Sequence, residues 1–191
     1  MSRVLSDTPI SAFALPAALR ALRAETPCPH PACRVFNVAT RAALSQTFDH
    51  VLNDHECTSS LVGDALVADL SLADNIHFQA ACCGAPQPVW LESELLALFS
   101  EAGASADPAW LSLYPGRAPP LACLQARVGR ALASDPDWLL VDADAWTDDT
   151  LAPEHFTRAF LHRYPWRGLV WLSADTARAD SLSTRLSECV P

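Results

Sequence analysis

Apolar positions along this chain follow two rhythms. Trp138-Leu139-Leu140-Val141 and Leu169-Val170-Trp171-Leu172 are unbroken apolar runs. They are too short for helices and suit central parallel strands covered on both faces. Residues 34–38 and 59–63 predict two further strands. Elsewhere the apolar residues recur every three or four positions. Leu121, Leu124, Val128 and Leu132 do so ahead of a turn at Asp135-Pro136-Asp137. Pro136 has no N–H and drives Asp135 out of the right-handed helical region, so the helix must stop there. Helical spacing also predicts helices over 16–25, 40–53, 90–100 and 176–188, and one from Ser71 to about Ala81. Ser71-x-x-Asp74 offers that last helix an N-terminal cap. Pro153 suits a first helical turn, with Phe156, Phe160 and Tyr164 on one face. Helices alternating with strands predict an α/β fold with a mainly parallel sheet, Trp138–Val141 central and residues 169–173 beside it.

Composition narrows the picture. A chain of 191 residues, half of them apolar, is expected to form a single domain over 1–191. The formal net charge of −9 disfavours nucleic acid as a partner, since its phosphates must be neutralised by a basic face. No apolar run reaches the roughly 18–20 residues of a membrane span, and the first residues lack the regions of a signal peptide. A cytoplasmic protein is expected, with its seven cysteines as reduced, mostly buried thiols.

Several phrases, taken in order, resemble the ATP-binding subunits of ABC transporters. Arg130-Ala131-Leu132-Ala133-Ser134-Asp135-Pro136 resembles the "RALA-x-x-P" that ends the family's signature helix, and Asp142-Ala143-Asp144 stands at the Walker B "DEP". Asp69-Leu70-Ser71-Leu72-Ala73-Asp74-Asn75-Ile76 is similar to the "LTVxENI" after the Q-loop. Tyr114-Pro115 resembles the "YP" before the signature, and residues 168–173 the strand leading to the switch histidine. The order and spacing hold from about Ser59 to Leu182. The resemblance implies a P-loop NTPase-like sheet with a truncated N-terminal β-subdomain, closest in feel to bacterial MCE/Mla-type lipid-transport ATPases. It implies a membrane permease as partner, with an active ABC ATPase subunit as a second, and contact through Leu66, Val67, Leu70, Leu72 and Ile76.

The catalytic groups of that family are missing. A Walker A loop needs Gly-x-x-x-x-Gly-Lys, whose N–H groups and lysine enclose the phosphates. This chain has no lysine, and none of its six glycines forms such a loop. Ala39-Thr40-Arg41 stands in the loop's place. The signature falls on Ala118-Pro119-Pro120-Leu121, the Walker B glutamate on Ala143 and the switch histidine on Ala174. Only Asp142 matches, as a residual Walker B-like group, with Asp149 near the D-loop position. The expectation is a non-hydrolysing subunit with no catalytic residues and no cofactor.

Two other chemistries start from the residues themselves. Asp142 and Asp144, with Asp148 and Asp149, form an oxygen-rich loop suited to Mg²⁺ and hence to phosphotransfer. Cys28, His30, Cys33, His50, His55 and Cys57 could supply zinc or thiol chemistry, although the C-x₄-C spacing is loose and no second regular pair follows. His155 and His162, seven apart on one predicted helix, are expected at the surface.

Overall fold

The computed structural model describes residues 17, 32–52, 59–63, 65–82, 89–104, 107–147 and 149–187. Most of the predicted helix over 16–25, and Cys28, His30, His55, Cys57 and Asp148, lie outside them. In chain order the elements are β1 (Ala32–Asn37), α1 (Arg41–Leu52), β2 (Ser59–Val62), α2 (Leu72–Cys82), α3 (Leu91–Glu101), α4 (Pro120–Leu132), β3 (Trp138–Asp142), α5 (Pro153–Arg163), β4 (Gly168–Ser173) and α6 (Thr176–Leu186). Two short 3₁₀ turns, Pro108–Ser112 and Pro115–Arg117, lead into α4.

The four strands form one sheet in the order β1-β4-β3-β2, every pair parallel. The chain therefore crosses the whole sheet once, from β1 to β2, and then steps back through β3 to β4. Crossovers between parallel strands are right-handed, so a reversal of direction puts the connecting helices on opposite faces. The core divides accordingly. Leu44 of α1 packs with Phe36, Val38, Trp138, Leu140, Val170 and Leu172. The opposite face, with Val35, Leu139, Val141, Leu169 and Trp171, packs with α2 to α6. Every residue of β3 and β4 is buried, which is why their apolar runs have no polar alternation.

The breaks fall where the chemistry requires them. Asp135, before Pro136, takes a left-handed backbone with φ 53°, and aspartate tolerates this region better than most residues. Ser71 caps α2: its Oγ accepts from the Asp74 N–H at 3.0 Å and donates to the Asp74 carboxylate at 2.6 Å. Asn75, wholly buried, ties down the preceding loop. Its Oδ1 accepts from Val67 N–H at 2.7 Å, and its Nδ2 donates to the carbonyls of Val67, Leu70 and Ser71.

One sequence expectation changes here. Leu72 and Ile76 are 0% exposed and belong to the larger core cluster. Their spacing of four marks the inward face of α2, so they are not partner-contact residues. Cys33 is buried on β1 among core residues; Cys28, His30, His55 and Cys57, from the same zinc or thiol expectation, lie outside the described residues. No helix among the described residues is long and apolar enough to cross a membrane.

Candidate functional site

In open parallel sheets, ligands sit beyond the carboxyl ends of the strands. At that edge the chain gathers Asn37 and Arg41 at and after the end of β1, Gly63 after β2, Asp142 and Asp144 at and after β3, and Ser173 and Ala174 at and after β4. Asp142 ends an interior strand, and its side chain is 6% exposed. Gly63 is the neighbour that permits this placement: a Cβ there would lie 3.2 Å from the Asp142 Cβ.

Arg41 opens α1, one residue after Thr40, whose hydroxyl accepts from the Ala43 N–H at 3.0 Å. The Arg41 guanidinium reaches across to Asp142 as a two-pronged pair. Nη1 donates to Oδ1 at 2.9 Å and Nη2 to Oδ2 at 2.6 Å. Such fork-on-fork pairs are the strong class of charge-assisted hydrogen bond. Asp142 Oδ1 also accepts from the N–H groups of Asp144 at 3.0 Å and Ala145 at 3.2 Å. Hydrogen bonds donated to the Asp142 carboxylate hold the Arg41 guanidinium above its ordinary pKa, against a partial cost of burial.

Asp144 is held just as fully. It accepts from the Ser173 hydroxyl and, at 2.9 Å, from the Ala174 N–H. Arg41 Nη1 lies 3.5 Å from its Oδ2. The loop after β3 is fixed from below by Arg178, which donates to the carbonyls of Ala143 and Trp146, each at 2.7 Å. The Trp146 ring is packed 5.0 Å from both Phe156 and Trp171.

The structure thus brings Asp142 and Asp144 together, as the phosphotransfer expectation requires, but sets an arginine between them. Both Asp142 oxygens are engaged by that guanidinium. Asp149 is exposed in the following turn. Among the described residues, no group of three or more His, Cys, Asp or Glu side chains could hold a metal ion. Ala143 and Ala174 flank the pair and offer no acid–base group. At the stretch aligned with the signature, Pro119 caps α4 and Pro120 is its first residue. Neither has an N–H to point at an anion. His155 and His162 are exposed on α5, and His162 pairs with Glu101.

Sequence reasoning placed Arg41 in the stretch replacing the phosphate loop but gave it no role. Its signal was a cation in a helix's first turn, where the helix dipole disfavours positive charge. That position calls for an acidic partner nearby.

No protein-family model matches the chain, and no curated protein does. Among solved structures, the chain is similar to MJ0796, a bacterial ABC transporter cassette determined as a dimer. The identity is 15% over 69% of this chain and 59% of that one, with a TM-score of 0.49. The chain accordingly spans about three fifths of that cassette's length.

Proposed function

We propose that this chain is an ABC ATPase-like subunit that does not hydrolyse ATP and serves as a structural or regulatory part of a membrane transport complex. The lipid-transport systems that its sequence phrases resemble are the first place to look for that complex. Support comes from the order of those phrases along a parallel α/β sheet, with Asp142 at the carboxyl end of an interior strand. The observation that carries the non-hydrolysing part is the Arg41–Asp142 pair. The family's mechanism needs that carboxylate for Mg²⁺ and a lysine-bearing loop for the phosphates. Here the carboxylate is satisfied by the chain's own arginine, and the loop is replaced by three residues. Asp144 and Asp175, also at this edge, add negative charge facing an incoming triphosphate.

Partners would be a permease and an active ATPase subunit. Leu66, Val67 and Leu70, on the loop clasped by Asn75 and only partly buried, remain the contact residues this reading favours. Titration calorimetry with Mg-ATP tests the nucleotide part, and no micromolar binding is expected. Saturable tight binding lost on Asp142→Asn would overturn it. Mixing with the partner ATPase tests the rest. Turnover should fall or stay constant, and a several-fold rise lost on changing Pro119 or Pro120 would refute the non-catalytic role.

A further inference from the structure

We propose that Arg41 is a built-in latch: it holds the loops at the carboxyl edge of the sheet in one closed arrangement without any ligand. This deepens the non-hydrolysing reading and rests on it. In a working nucleotide site a bound ligand orders such loops; here a side chain would do so.

The connectivity carries the argument. Arg41 belongs to the β1–α1 junction, Asp142 and Asp144 to the end of β3 and its loop, and Asp144 is in turn bonded to Ser173 and Ala174 at the end of β4. One guanidinium therefore ties the end of β1 to both interior strands. The backbone adds a parallel tie, Val38 N–H to the Ser173 carbonyl at 2.8 Å. Asp142 is nearly inaccessible, whereas the Arg41 side chain is 59% exposed. The arginine thus lies over the carboxylate as a cover with solvent behind it, and it can leave by rotating about its own side-chain bonds without unfolding the core. A fully exposed pair of this kind would contribute little. The buried carboxylate is what makes this one matter, because removing the guanidinium leaves a charge with only backbone N–H partners.

Three amides report on the latch directly: those of Asp144 and Ala145, which donate to Asp142, and that of Ala174, which donates to Asp144. Hydrogen exchange on the full chain in nucleotide-free buffer, wild type against Arg41→Met, is the test. The expected result is exchange about tenfold faster or more at these three amides, with those inside β3 and β4 unchanged, because local opening and global unfolding are separate processes. Unchanged exchange at all three would overturn the latch. If Arg41→Met loosens the whole molecule, Arg41→Lys decides. It keeps the charge but loses the fork, so the three amides should exchange faster than in wild type at unchanged melting temperature. Wild-type exchange in Arg41→Lys would overturn the proposal. Mg-ATP binding to the wild type would sink the non-hydrolysing reading separately, since the exchange comparison contains no nucleotide.

Discussion

Gly168 opens β4 directly beside Trp138, its register partner at the start of β3. A Cβ at position 168 would fall 2.0 Å from Trp138 Cε3 and 2.1 Å from Cζ3. Ordinary contact begins at about 3.4 Å, so in Gly168→Ala the indole must retreat by well over an ångström. It has little room, being 4% exposed within the smaller core cluster with Leu140 and Val170. The obstacle is a rigid ring, not the end of a flexible chain. Overpacking of this kind costs about 1–3 kcal/mol. Replacing a strand glycine returns about 0.5–1 kcal/mol of backbone entropy, which does not cancel it. An overlap this close selects the upper end of the overpacking range, leaving a net loss of about 2 kcal/mol, which lowers the melting temperature by roughly 4–8 °C in a chain of this size. Thermal unfolding followed by circular dichroism measures this. Trp138→Leu removes the ring, so the double variant should lose clearly less than the sum of the two single losses. Wild-type melting in Gly168→Ala, or strict additivity in the pair, would refute the reasoning.

Two further outcomes follow from individual side chains. Asn75→Ala removes the side-chain partner of the part-buried Val67 N–H and Leu70 carbonyl and one of two donors to the Val67 and Ser71 carbonyls, and should cost about 1–3 kcal/mol; limited proteolysis should then cut within the 67–71 loop, and an uncut loop would show that Asn75 does not hold it. Burial, chiefly, raises the Tyr164 phenol above its ordinary value of 10.0, and Glu94 pushes in the same direction. A raised folded-state value means that the phenol's contribution is fully present below pH 10 and is lost as pH rises through the folded value. Stability should therefore drop above pH 10 in wild type and drop less in Tyr164→Phe, as read from urea midpoints across pH 8–11.

The parts of this fold that were legible in the sequence were those where local chemistry decides. The apolar runs of β3 and β4 announced burial on both faces, Pro136 ended α4, and Ser71 with Asp74 marked the start of α2. What escaped was whatever depends on which element lies opposite. Leu72 and Ile76 form an apolar pair at helical spacing, and spacing alone does not say whether the core or a partner covers it; here the core does. Arg41 and Asp142 are 101 positions apart, and only the strand order, with β1 next to β4 and β4 next to β3, brings them within reach. Asp135 illustrates a finer limit: proline excluded the right-handed region for it, but the turn selected the left-handed one over the extended one.

The strand order also sets a timetable for biosynthesis. Ala32 at the start of β1 is registered with Gly168 at the start of β4, so the first described strand to leave the ribosome has its pairing strand made last. At about 5–20 residues per second, β1 waits roughly 7 to 26 seconds for the start of β4, with Val35 and Phe36 lacking that neighbour. Meanwhile β2 and β3 can pair as soon as β3 itself, at Trp138–Asp142, has emerged. A chain halted before position 168 would lose not one strand but two, because β1 would have nothing among the described strands to join. Newly made protein is therefore most open to aggregation, and most dependent on chaperones, during the interval before β4 appears.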